Sequence, residues 1–195
     1  MVAPLITPQN FKIGPCEVYA GVTLPVVGSL LSLNSLGQPA TGTHLGGLQK
    51  EVMVSFITKG VPLMVEQFKT RIATYIDTED LEFDIPAGEE TVANLTAFLT
   101  GATKIPSALA PQAFELGGGL GLAQTTSILL VQRNLSATNA YSYVMGYSMV
   151  NEDGYKKTAA RGKWHEPTIK FKAQAVTTRA SGAQIGQWCS EVIGV

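Results

Sequence analysis

Residues 80–85 read Asp-Leu-Glu-Phe-Asp-Ile, a strict alternation of acids and large apolar side chains. In an extended chain successive side chains point to opposite faces. Leu81, Phe83 and Ile85 therefore share one face, and Asp80, Glu82 and Asp84 share the other. A helix would scatter both sets around its circumference, so the segment predicts a strand with one buried and one wet face. The same period recurs twice. Val52, Val54 and Phe56 alternate with Glu51, Met53 and Ser55, and Ile169, Phe171 and Ala173 alternate with Lys170, Lys172 and Gln174. A chain with three such stretches must build a sheet and cover one side of it.

The first of these stretches opens a longer extended unit. From Gln49 to Phe56 the pattern is a strand, Lys59-Gly60 offers a turn, and Pro62 stands where no ladder hydrogen bond can be donated. Val65, Phe68, Ile72 and Ile76 then resume the pattern with polar residues between them. Their parity changes near Gln67, which predicts a bulge or bend. Residues 49–76 are thus expected to form a long β-hairpin. At ~3.3 Å per residue such a hairpin reaches past a compact core. Its edges would be open to pairing, and a closed ring of copies would remove them. The plainer reading folds the whole hairpin into its own sandwich.

The remaining chain gives weaker signals. Residues 1–15 read as an arm ending at Gly14-Pro15, and 16–22 as a short strand. Residues 24–48 form a long Gly/Ser-rich loop with room for a strand. Glu89 to Thr100 predicts a helix. Its apolar stripe is Val92, Leu95, Phe98 and Leu99, Glu89 and Glu90 sit in the first turn, and Gly101 closes it. Residues 102–124 read as a second long loop, 125–132 and 141–150 as strands, and 151–167 as a polar connection. A strand over 168–180 and a short closing element complete the chain. No repeat of fixed period is visible. The sum is a single domain of about seven strands with one flanking helix, a mainly-β sandwich or barrel.

Composition narrows function more than it assigns it. Apolar residues make up 45% of the 195-residue chain, enough for a real core. Charged residues make up only 15%, against about 25% in ordinary soluble domains. A surface so poor in charge suits a chain that buries much of its outside in an assembly. The formal net charge is −1 and no basic block occurs, which argues against wrapping nucleic acid by phosphate neutralisation. The N-terminus lacks the basic region of a signal peptide, and no run of about eighteen apolar residues predicts a membrane-spanning helix. Cys16 and Cys189 lie near opposite ends. A bridge between them stays open, while two lone thiols fit a reducing cytoplasm.

Few residues point to chemistry. The two histidines, His44 and His165, have no ligand partner at helical or hairpin spacing. "GGGLGL" at 117–122 lacks the Lys-Ser/Thr of a phosphate loop and leads into a strand, not a helix. The expectation is a non-enzyme with no cofactor and no metal. Asp77, Glu79, Asp80, Glu82, Asp84, Glu89 and Glu90 crowd within fourteen residues. The EF-hand order of ligands is absent, so they read as a solvated face plus acids placed for the helix dipole. The functional alternative is a negative surface, carried by Asp80, Glu82 and Asp84, that lets a polyanion slide past without binding.

The order of features over residues 43–101 resembles the bacteriophage major tail tube proteins. "THLGGLQKEVMVSF" is similar to the Leu-Gly-Gly lead into that family's first hairpin strand, and "TKGVPLMVEQ" to its return. "IDTEDLEFDIPAGEETVANLTAFLTG" is similar to its acidic strand and Glu-Glu-Thr helix, and "IKFKAQAV" to a late strand. The resemblance implies a virion protein whose hexameric rings stack into a tube that conducts DNA during ejection. Other partners would be the tape measure, the tail terminator and the baseplate or tip proteins. Assembly would take place in the host cytoplasm, with no membrane involved. Gln49, Glu51, Met53, Ser55, Glu66, Lys69 and Arg71 would belong to the inner-wall hairpin. Gly46, Gly47, Gly117 and Gly118 would sit in loops between stacked rings. Lys50, Lys59, Lys69 and Arg71 against Glu51 and Glu66 depart from a strongly negative wall. The rivals are another phage component of related fold, such as a tail terminator or head decoration protein, and a carbohydrate-binding sandwich using Trp164 or Trp188.

Overall fold

A computed structural model describes residues 12–46, 51–65, 70–86, 91, 94–96, 99, 103–105, 113–115, 124–134, 138–151, 154 and 168–195. The fold is mainly β. Its strands are β1 (Lys12–Ala20), β2 (Thr43–His44), β3 (Met53–Val65), β4 (Thr70–Pro86), β5 (Thr103–Ile105), β6 (Ala113–Glu115), β7 (Thr126–Asn134), β8 (Ala140–Asn151), β9 (Thr168–Ala173) and β10 (Gly186–Ile193). Eight of them form one antiparallel sheet in the order β2-β1-β7-β8-β9-β4-β3, with β10 also on β8. β9 and β10 share one flank of β8. β10 takes Ala140–Gly146 and β9 takes Met149–Asn151. β5 and β6 pair with each other in a separate two-stranded sheet.

The alternation at 80–85 governs the core as expected. Leu81, Phe83 and Ile85 are buried, and Ile169 and Phe171 of β9 join them. Val18 and Ala20 of β1, Ile128 of β7 and Met149 of β8 complete this cluster, with Val52 and Val54 packed against it. The opposite face of β1, β7 and β8 carries a second cluster: Tyr19, Leu129, Val131, Tyr141, Tyr143, Met145 and Tyr147. Those strands are therefore buried on both faces, which is why 126–131 and 140–150 show so little polar alternation.

The 24–39 segment lids the second cluster. Leu31 and Leu33 sit in it, the Leu31 N–H donates to the Tyr143 hydroxyl at 2.8 Å, and the Tyr141 hydroxyl donates to the Ser35 carbonyl at 2.8 Å. Gly37, at φ +81°, lies against the Tyr141 ring. The expected loop is thus a cover sewn on by tyrosines. Among its described residues only Thr43–His44 is strand, besides a bridge between Leu33 and Pro39.

Several boundaries differ from the expectation. β1 begins at Lys12, so the arm can extend no further than residue 11, and residues 1–11 lie outside the described set. Lys59-Gly60 is no turn. It lies inside β3 at a register shift, where Gly60 faces Ile76 and Lys59 faces Thr78, leaving Asp77 as the extra residue of a bulge. The strand expected at 80–85 is not separate from the return strand, because β4 runs unbroken from Thr70 to Pro86. The change of parity placed at Gln67 falls outside the described residues. Pro62 sits in β3, the last strand of the sheet, where a missing donor need cost no ladder bond. The 102–124 loop contains β5 and β6, and the strand expected over 168–180 ends at Ala173. Of the Glu89–Thr100 helix, residues 94–96 are helical, with the Leu95 N–H bonded to the Thr91 carbonyl and the Leu99 N–H to the Leu95 carbonyl. Asn94 ties this turn to the body through its amide, which donates to the Leu45 carbonyl at 3.1 Å. Thr91 and Leu99 are not helical, so the helix is shorter than the expected Glu89–Thr100, and its ends lie outside the described residues.

Candidate functional site

The register of β3 on β4 brings together two groups of residues that look unrelated in sequence. Met53 faces Asp84, Ser55 faces Glu82 and Ile57 faces Asp80. Directly opposed residues share a face, so these six lie on the side away from the core cluster. β9 extends that face: Lys172 stands opposite Glu82 and Lys170 opposite Asp84. The lysine ammoniums lie 3.9 Å from the carboxylates, Lys170 from both Glu82 and Asp84, and Lys172 from Glu82.

Of the acids expected to form a negative surface, Glu82 and Asp84 are paired with bases, and Asp80 stands on the same face opposite Ile57. Bases from a distant part of the chain stand against these two carboxylates, and Lys59, opposite Thr78, lies farther along the same face. Asp84 Oδ1 is also buried without a hydrogen-bond partner, and Lys170 is the cation beside it.

Beside and beyond the acids, the same face is apolar along β3. Met53, Ile57 and Val61 of β3 and Tyr75 of β4, which faces Val61, are all exposed. The same holds of the core-side face. Phe56 faces the buried Leu81, yet it is itself 54% exposed, and Ile76, facing Gly60, is 52% exposed. The β3–β4 pair therefore carries exposed apolar side chains on both faces, the pattern of strands that are covered on both sides.

Its backbone is open as well. β3 closes the sheet order, and β9 pairs with β4 only over Glu82–Pro86. Among the described residues nothing pairs with the far edge of β3 or with the β9-side edge of β4 from Thr70 to Leu81. Two open edges thus lie on opposite sides of one ribbon.

Where the core-side face of this ribbon leaves the core, a cleft of about 570 Å³ opens toward the 175–188 segment. Phe56, Glu79 and Leu81 form one wall, and Val144, Gly186 and Trp188 the other. Trp188 is 64% exposed. Gln187, also on the lining, is fastened from behind: its amide accepts from the Tyr143 hydroxyl and donates to the Ser29 carbonyl. Arg179 ties the same segment to the 24–39 cover, donating to the Pro25 carbonyl while its guanidinium lies 4.1 Å from the centre of the Tyr147 ring. The cleft therefore has a braced floor and an open mouth.

The remaining sequence candidates are scattered. Glu51 is exposed just before β3, and Arg71 lies in β4 opposite Met64. Gly46 takes φ +83° and so turns the chain out of β2. Gln49, Glu66, Lys69, Gly47, Gly117 and Gly118 lie outside the described residues, as do Trp164 and His165. His44 packs edge-on against Tyr19 at 5.0 Å, and its Nδ1 accepts the Gly46 N–H at 3.3 Å, which gives it a local structural job. Tyr19 also donates to Glu17, and its burial together with that carboxylate pushes the phenol well above its ordinary value. Burial likewise raises Tyr143 and Tyr147, the latter against the opposing pull of Arg179. Both cysteines are free, Cys189 buried and Cys16 partly so. Among the described residues no three His, Cys, Asp or Glu side chains are grouped to hold a metal, and no helix is long and apolar enough to cross a membrane.

The cleft was not legible in advance. Trp188 carries a weak signal in "GQWCSE", a large aromatic flanked by polar residues, but nothing local links it to Phe56, 132 positions earlier. Neither a protein-family model nor a curated protein matches the chain.

Proposed function

We propose that this chain is a structural subunit that assembles with copies of itself, of the kind that builds a phage tail tube. The observation carrying this reading is the β3–β4 ribbon, with two open edges and exposed apolar side chains on both faces. Among the described residues a single copy satisfies neither feature. Edge-to-edge pairing of β3 in one copy with β4 in the next would satisfy the edges, because a head-to-tail contact repeats until the ring closes, and packing of neighbouring copies would cover the apolar faces. On this reading the sheet curls into a sandwich-like barrel, since β1, β7 and β8 share one core with β4 and β9. The ribbon is the part of the expected hairpin that reaches beyond that body. Rings of six, stacked into a tube with DNA passing through the lumen, follow from the resemblance to tail tube proteins.

The ion pairs at Glu82 and Asp84 modify the picture of the lumen wall. If that face lines the channel, DNA meets paired ions and small polar groups. Such a wall neutralises few phosphates, so it releases few counterions and holds DNA weakly. Slippage would then come from compensation of charge instead of repulsion.

Negative-stain microscopy and sedimentation velocity of the purified chain test the proposal. Rings or tubes are the expected result. A chain that stays monomeric at high concentration, even with tail-tip components added, overturns it.

A further inference from the structure

The cleft between Phe56 and Trp188 is unexplained by edge pairing alone, which uses backbone groups. We propose that it is a socket for a second copy of this chain, filled by the core-side face of the neighbour's β4 with Ile76 at its centre. The inference rests on the self-assembly reading above and adds which side chains meet. Three observations carry it. Phe56 belongs to both the cleft wall and the open-edged strand, so a strand added to β3 runs past the mouth. Residues facing each other across a ladder share a face, and Gly60 lies on the Phe56 side of β3, so Ile76 projects to that side of the ribbon. A β4 from the next copy, continuing the sheet, therefore presents its own Ile76 toward the mouth. Finally, that side chain is half exposed in the isolated chain and is followed toward Leu81 by the polar Thr78 and Glu79, so it is the apolar residue available on that stretch.

The fit is physically reasonable. About 570 Å³ lies within the ordinary range of ligand-sized clefts, roughly 300–1,000 Å³, and takes more than one aliphatic side chain. An aromatic pair around an aliphatic knob is the arrangement of an interface hot spot, with the surrounding polar residues excluding water. Glu79, Ser181 and Gln184 stand on the lining in that position. The alternative occupant is a sugar stacked on Trp188, and the test separates the two.

Replacing Trp164 by Phe leaves Trp188 as the sole tryptophan of the chain. Its emission is recorded before and after assembly, with sedimentation reporting assembly independently. The expected result is a blue shift and loss of acrylamide quenching in the assembled fraction. Assembly with unchanged Trp188 emission overturns the socket but leaves the self-assembly reading standing. Absence of assembly at any concentration overturns that reading, and the socket with it. A shift produced in the unassembled chain by soluble oligosaccharides overturns the socket in favour of a glycan site. In the otherwise unaltered chain, Ala175→Trp plugs the cleft from its own wall. It should weaken assembly by about tenfold or more while circular dichroism of the monomer is unchanged. Full assembly of that variant also overturns the socket.

Discussion

At the scale of single residues, the electrostatics of this protein are settled by partners far away in sequence. Glu82 and Asp84 lie on β4 and their lysines on β9, and only the ladder brings them together. The partly exposed Glu82 should matter little. Glu82→Gln is expected to change stability by under about 1 kcal/mol in urea denaturation, the usual worth of a solvated ion pair. Lys170→Ala should cost more, about 1–2 kcal/mol, because it strands the buried Asp84 Oδ1 without a counter-charge. Equal costs for the two variants would show that Oδ1 finds compensation elsewhere.

The tyrosines make a second prediction at this scale. Tyr19, Tyr143 and Tyr147 all have phenols raised above the ordinary value of 10.0. A raised value means that the folded state holds the proton more tightly than the unfolded chain. That stability is fully present below about pH 10 and is lost as the pH climbs through the folded values. The urea midpoint should therefore be insensitive to these groups from neutral pH to about pH 10 and fall above it. A midpoint that rises in that window would contradict the burial of these hydroxyls. Gly37 gives a third prediction at this scale. At φ +81° an added Cβ would meet the Tyr141 ring, so Gly37→Ala should cost about 1–3 kcal/mol in the same assay.

At the scale of elements, β3 is the strand whose two edges have different fates. From Met53 to Lys59 its register on β4 is regular. Successive residues of an antiparallel strand direct their N–H groups to opposite sides. Of Ile57→Pro and Thr58→Pro, one therefore removes a donor to β4 and the other removes a donor at the open edge. The first should loosen the β3–β4 pair. The second should leave the monomer folded and block self-association in sedimentation velocity. If both variants assemble normally, the edge is not used. The strands through Val54 and through Phe83 were legible because their alternation is strict, but their pairing with each other was not, because the return was expected at 62–76. Lys59-Gly60 misled because Gly-containing dipeptides mark turns and bulges alike, and only the partner strand reveals which is present.

At the scale of the molecule, a low charge content and an uncovered apolar ribbon point the same way. If apolar and backbone contacts hold the copies together, association should be nearly unchanged between 0.1 and about 0.5 M salt, since screening acts on exposed charges. A steep loss of association with salt would assign the contact to ion pairs instead.

Local pattern alone established the β character of the chain, the inward row Leu81, Phe83 and Ile85, and a strand through Val54 and Phe56. Each of these is local, because side-chain direction in a strand alternates with chain position. It could not determine that Lys170 and Lys172 stand against Glu82 and Asp84, that the 24–39 segment roofs a tyrosine-lined core, or that Phe56 and Trp188 frame one cleft. Those depend on which strands lie side by side, and strand order is set by packing between segments far apart in the chain, as Asp84 and Lys170 or Phe56 and Trp188 are.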